Sequence, residues 1–438
     1  MLHQMKLVYI LIIAVYTSIF LFGNVEFSLH YTLISIALYI ISNILYFNHR
    51  RDFLNFELFF AISFFMASFL SFFILEQGFG FGFSTFSSKE SSLVKGLALA
   101  MIGYHSYLLG LTQNIKTKQI QAYPIQGRET AAVSNVFCFL MLLLFLKNGG
   151  LSILNHYTES INNTSAYLEY SFYLLIACTI SSYSNLSAAS QDLNKGIFKT
   201  IIGLNKLFIF NCIVIIGIFL LSGYRSFAIQ IILPIIVCFN IFIHRISFRM
   251  MLLIITSGFV LMSFIGMVRG GNEIDTARTF LDNFKDYYCA NASLGFFVDA
   301  VENKGVTFGT NYINSILAII PFLQSFVGLF ISHDSFAISS SRYFTSDFDT
   351  EVGLGTHIIG DIYYSFGLPG VVILMYLLGY FCSRLASSKG QYSLIMMLIL
   401  TGNAIFAARV EYPYILRMLA YGCIFLYFNK LCTKIKTK

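Results

Sequence analysis

Charge is scarce in this chain, so the ionisable side chains beside its apolar runs are where chemistry has to be sought. In GTHIIGDIYYSFGLPG, residues 355–370, His357 and Asp361 stand four apart, a spacing that on a helix puts them on one face with Tyr364 on the same side. A carboxylate within a membrane helix is by default a functional hypothesis, and a neighbouring histidine can hold or accept a proton. The structural alternative is a polar contact between Asp361 and another helix. Arginines form a second group: Arg225 in FLLSGYRSFAIQIILP, Arg269, Arg278, Arg342, and Arg409 and Arg417 near the C-terminus. Guanidinium is always charged and grips phosphate oxygens in pairs, so arginines gathered on one side of a bilayer suit a lipid diphosphate. Each alone is equally well read as snorkelling to the headgroups. Arg409 and Arg417 are eight apart, about 80° around a helix, and so can share one cleft. Glu411 between them has a plainer reading, a local ion pair. The third group is SDFDTEVG, residues 346–353, where Asp347 and Asp349 make a DxD. Three carboxylates in so short a loop outside the membrane read more simply as a solvated turn than as a cation site.

The elements that must position these groups follow from composition. Of 438 residues, 57% are hydrophobic and 11% charged, with a mean hydropathy of +0.74, which excludes an ordinary soluble domain. Apolar runs of about 20 residues, enough to cross about 30 Å of hydrocarbon, recur along the chain. They predict an all-α, polytopic integral membrane protein of about twelve transmembrane helices, at 7–22, 29–47, 57–75, 93–111, 130–147, 170–187, 203–221, 226–243, 250–268, 354–382, 392–408 and 411–429. The whole of 1–438 reads as one membrane domain. Basic residues flanking short loops stay on the cytoplasmic side, and most of the 28 Lys and Arg do so if both termini are cytoplasmic. The net charge of +7 is then topology signal, and a nucleic-acid partner is not indicated. Residues 269–353 form one large external loop between spans 9 and 10, carrying nearly half of the carboxylates. A loop of that length is usually functional. Inside it TARTFLDNFKDYY has the pattern of an interfacial helix, and NSILAIIPFLQSFVGLFI reads as an outer-leaflet or re-entrant segment. Of the eight cysteines only Cys289 faces out, and no CxxC occurs, so neither a disulfide framework nor a thiolate metal site is expected.

Four stretches together resemble the bacterial polysaccharide repeat-unit polymerases, the Wzy-type O-antigen and capsule polymerases. SGYRSF is similar to the family's small-Gly-x-Arg hairpin, placing Gly223 and Arg225 on it. GVTFGTNYINSILAIIPF is similar to its Gly-x-Thr-aromatic stretch followed by proline, covering Gly305, Thr307, Phe308 and Pro321. GDIYYSFGLPGVVILMYLLG resembles the segment in which an acidic residue and a tyrosine precede Gly-x-x-Gly, here Asp361, Tyr363, Gly367 and Gly370. Arginines follow near the last hairpin, as Arg409 and Arg417 do here. Asp361 stands where the family usually has glutamate, and Ser365 where asparagine is common.

The resemblance implies a glycosyltransferase of lipopolysaccharide biosynthesis in the bacterial inner membrane, free of cofactor and metal. A glycan growing on undecaprenyl diphosphate is passed to a sugar hydroxyl of an incoming lipid-linked repeat unit. Arg225, Arg409, Arg417 and Arg278 would hold the diphosphate and Asp361 or His357 would take the acceptor's proton. Tyr287, Tyr288, Tyr343 and Tyr364, with Tyr312, would stack on sugars. The implied partners are undecaprenyl-diphosphate-linked oligosaccharides, membrane lipids, a chain-length regulator and a flippase. An O-antigen ligase, which passes glycan to lipid A core, and a lipid-linked oligosaccharide flippase or other transporter are the competing readings. Transporters usually show repeated halves and charges at mid-membrane.

Overall fold

The computed structural model describes residues 2–23, 28–50, 54–70, 90–114, 132–148, 161–189, 203–221, 225–247, 249–254, 256–258, 260, 285–317, 319–320, 323–328, 339–347, 354–388 and 390–435. Among them the regular structure is helical, with no strand. Helices overlap eleven of the twelve expected spans, covering only Phe56–Ser68 of 57–75 and Gln391–Asn403 of 392–408, and the remaining one, 250–268, is described only as far as residue 260. Three of these helices, Leu2–Phe22 (α1), Leu29–Arg50 (α2) and Ile358–Ser387 (α13), are long and apolar enough to cross a membrane; at about 1.5 Å per residue each reaches the thickness of the hydrocarbon. Their outward residues are apolar as well: Leu7, Leu11 and Phe22 on α1, and Ile34, Ile41 and Ile44 on α2, are exposed. In water such faces would be a liability, whereas in lipid they are the expected surface.

The chain divides into two compact units. The first comprises Met1–Thr117, Phe284–Ser388 and Ala404–Met418. At its centre α13 packs on Glu90–Leu111 (α4), and α1 packs on α4 as well. The α4–α13 crossing is a backbone contact. A Cβ on Gly110 would lie 2.1 Å from the Tyr376 carbonyl oxygen, and one on Gly379 would lie 2.0 Å from that of Tyr107. Small residues permit this approach, which is how helices associate where lipid offers no hydrophobic driving force. Phe56–Ser68 (α3) and Lys285–Lys304 (α9) pack beside this pair. After α9 come a 3₁₀ turn at Thr310–Tyr312, two short helices, Ile313–Leu317 (α10) and Leu323–Gly328 (α11), and Ser340–Asp347 (α12). At five and six residues α10 and α11 are far too short to span.

The second unit comprises Lys118–Asn283, Lys389–Asn403 and Leu419–Lys438. Here Ala132–Lys147 (α5), Ile161–Ala189 (α6), Lys206–Leu221 (α7), Arg225–Phe242 (α8) and Gln391–Asn403 (α14) pack together. Buried amides link them: Asn429 Nδ2 donates to Ser181 Oγ at 2.8 Å while Asn429 Oδ1 accepts from Ser134, and Asn211 Nδ2 donates to the Asn135 carbonyl at 3.0 Å. Asn429 belongs to the last helix, Tyr412–Ile435 (α15). Such interhelical bonds are individually worth about 0.6 kcal/mol in a bilayer, with a maximum near 2.

Candidate active site

One group of polar side chains in the first unit converges on the start of α13. This helix is broken inside: Gly367 takes φ 68°, ψ −165°, and Pro369 follows. Proline has no N–H to give, so the carbonyl four residues back, that of Ser365, loses its helical partner. The turn 305–309 supplies replacements. Thr307 N–H donates to the Tyr364 carbonyl at 3.0 Å and Gly309 N–H to that of Ser365 at 3.2 Å. The Gly-x-Thr-aromatic stretch and the Gly-x-x-Gly segment are therefore two halves of one feature, since a break in the helix frees carbonyls that the turn satisfies. Side chains strengthen the join: Thr307 Oγ1 donates to Asn311 Oδ1 at 2.6 Å, and Asn311 Nδ2 to Ser365 Oγ at 2.9 Å.

One turn N-terminal of that break lies Asp361, with 0% of its surface exposed. Its Oδ2 accepts from the Tyr312 hydroxyl at 2.7 Å and from the Tyr412 N–H at 2.9 Å, and its Oδ1 accepts from the Ser340 hydroxyl. Three chain segments far apart in sequence, the 310–312 turn, the start of α12 and the start of α15, are thus tied to α13 by one carboxylate. Glu411 adds a parallel tie, accepting from both the N–H and the hydroxyl of Ser341 on α12. The Arg409 carbonyl accepts from Thr356 N–H at 3.4 Å, closing the ring. Burial and the facing Asp361 carboxylate push the Tyr312 phenol well above its ordinary value, which keeps it a proton donor in this bond.

His357 does not share a helix face with Asp361, as the four-residue spacing suggested. It is the extended N-cap of α13, and its Nδ1 accepts from Ile359 N–H at 3.1 Å. That fixes the proton on Nε2, which donates to Ser68 Oγ at 2.9 Å. The ring is fully buried, edge-on to Phe64 at 5.3 Å. In this geometry neither His357 nor Asp361 is open to an incoming hydroxyl. Glu411 is partly exposed.

Of the predicted cation site, Arg409 lies on a 3₁₀ turn, Ala407–Arg409, and is partly exposed. Arg417, in the second turn of α15, stands 5.0 Å over the Tyr414 ring. Arg225 is the first residue of α8 in the other unit; its side chain lies outside the described residues, as do Arg278 and Gly223. Of the predicted sugar-stacking tyrosines, Tyr343 and Tyr364 are brought together, their rings 5.5 Å apart and 14° from parallel. Phe296 packs beside them, and exposed Lys304 donates to the Tyr343 hydroxyl at 2.7 Å; that bond raises the lysine's affinity for its proton. The Tyr287 and Tyr288 side chains lie outside the described residues, as does Asp349, while Asp347 is exposed. Among the described residues no group of three His, Cys, Asp or Glu could hold a metal ion. Ser340, Ser341 and the Tyr412 N–H were missed from the sequence. A serine run and a backbone amide carry no signal of partners tens of residues away.

Apolar helices with outward aliphatic faces define an integral membrane protein. The family model for O-antigen polysaccharide polymerase Wzy matches residues 5–436, nearly the whole chain, and the chain belongs to that family. It is a family of integral inner-membrane proteins that polymerise lipid-linked oligosaccharide repeat units. No curated protein and no solved structure matches the chain.

Proposed function

We propose that this chain polymerises undecaprenyl-diphosphate-linked repeat units on the outer face of the inner membrane, both its termini being cytoplasmic and residues 269–353 external. The observation that carries the reading is the Asp361 junction, which ties together three of the four family stretches: 305–312, 361–370 and the turn bearing Arg409.

In the reaction, the bond between the growing glycan's anomeric carbon and its diphosphate oxygen breaks. A new bond forms between that carbon and a sugar hydroxyl of the incoming unit. The leaving undecaprenyl diphosphate gains negative charge, and Arg409 and Arg417 neutralise it. Such preorganised charge is worth several kcal/mol in the transition state. The arginines take the place a divalent cation holds in nucleotide-sugar enzymes, so the reaction runs without metal. The hydroxyl's proton needs an acceptor. Asp361 and His357, the candidates from sequence, are buried with their polar atoms engaged, and we assign the proton to Glu411, the partly exposed carboxylate beside Arg409. Asp361 and His357 then position the segments around it. The Tyr343–Tyr364 stack offers a flat aromatic platform for sugar rings. A chain-length regulator and a flippase are the expected partners.

The test is genetic. A strain making a repeat-unit glycan and lacking this gene will carry single capped units on its surface, and the full-length gene will restore a ladder. Complete loss of attached glycan would point to a ligase or flippase.

A further inference from the structure

The turn 305–309 holds a residue whose conformation and exposure conflict. Phe308 sits at φ 51°, left-handed backbone that a bulky side chain adopts at a cost and glycine adopts freely. Strain of this kind persists only where the surroundings enforce it, and it clusters at functional sites. A phenylalanine would ordinarily recover the cost by burial, yet Phe308 is 80% exposed. Enforcement is visible on both sides. Gly305 and Gly309 are themselves left-handed, at φ 81° and 77°, and the Thr307 and Gly309 amides are bonded to the broken helix. The turn is fixed to α13, and the ring is held away from the protein.

Its neighbourhood is apolar and leads back to the site. The Phe366 ring covers Gly309 so closely that a Cβ there would lie 2.6 Å from its Cζ. The same ring meets Tyr312 edge-on at 5.5 Å and is 39% exposed. Ile313 and Ile316, on one face of α10, are exposed too. Tyr312 donates to Asp361, so this apolar lip begins one hydrogen bond from the junction. A cation, exposed Lys304, precedes Phe308 by four residues.

We propose that Phe308, with Phe366, grips the first isoprene units of the substrate's polyisoprenoid chain and so reads the lipid on which the glycan is carried. A bulk acyl chain would be met equally well by any apolar residue at ordinary φ, and it needs no pinning by two amides at the junction. An amphiphile with an anionic head and an apolar tail fits an exposed lysine and an exposed aromatic ring four residues apart. The inference rests on the lipid-diphosphate reading above and adds what selects the lipid. Phe308 acts as a specificity residue that contacts the lipid and not the reacting atoms.

The experiment uses the purified full-length protein in nanodiscs of one fixed phospholipid. The same repeat-unit diphosphate is supplied on an undecaprenyl chain and on an unbranched saturated chain of similar length. Wild type should show kcat/KM higher on undecaprenyl by about tenfold or more, the scale on which apolar pockets discriminate. Phe308→Gly should bring that ratio toward one through KM and unfold at or above the wild-type temperature, since glycine relieves the strain. Phe308→Leu should keep the ratio. An unchanged ratio in Phe308→Gly, equal loss on both substrates, no preference in wild type, or a Phe308→Gly chain that fails to fold each overturns the proposal. A wild type that extends neither substrate refutes the polymerase reading itself.

Discussion

Asp361→Ala is the most informative single perturbation, because one carboxylate serves three donors from three segments. Alanine would leave the Tyr312 hydroxyl, the Ser340 hydroxyl and the Tyr412 N–H buried without their acceptor. Each stranded donor costs about 1–3 kcal/mol, and shared relaxation keeps the sum below simple addition, so about 3–5 kcal/mol of destabilisation is expected. Tyr312→Phe removes one of the three bonds and should cost about 1–2 kcal/mol alone. In the Asp361→Ala background it should cost almost nothing, giving a coupling energy of about 1–2 kcal/mol. Equilibrium unfolding in mixed detergent measures all four corners of the cycle, and the glycan ladder of a complemented deletion strain measures function in parallel. The ladder should fail for Asp361→Ala even at matched expression. Wild-type stability for Asp361→Ala, or additive effects of the two substitutions, would refute the junction.

The helices were legible in the sequence because lipid imposes one simple rule, a run of apolar residues long enough to cross. Runs such as 29–47 and 93–111 lie within the helices Leu29–Arg50 and Glu90–Leu111. That Asp361 makes a polar contact to another segment was legible as the structural alternative, since a carboxylate in an apolar helix needs partners. Its partners were not: Tyr312, Ser340 and Tyr412 lie 49, 21 and 51 residues away, and no local pattern encodes such pairings. His357 misled for a local reason. Four-residue spacing implies a shared face only if both residues are helical, and His357 is the cap before the helix. The turn at 305–309 could be named from its glycines, but its left-handed phenylalanine could not.

Two further outcomes follow from the same geometry. Arg409→Ala and Arg417→Ala should each fold and reach the membrane yet lower kcat by about 10²–10³, the scale of removing one transition-state charge partner, measured as lipid-linked oligomer formed per minute; wild-type kcat in both would remove them from the site. Gly379→Val should prevent assembly, because its side chain would meet the Tyr107 carbonyl across the α4–α13 crossing; normal membrane yield and thermal stability would contradict the close packing of these helices.

Metal-independent polymerisation can be measured by reconstituting the purified chain in vesicles with a lipid-linked repeat unit as both donor and acceptor, in the presence of EDTA. A ladder of lipid-linked oligomers should form, with one undecaprenyl diphosphate released for each linkage. Failure to extend the unit, or glycan passed only to added lipid A core, would contradict the polymerase reading.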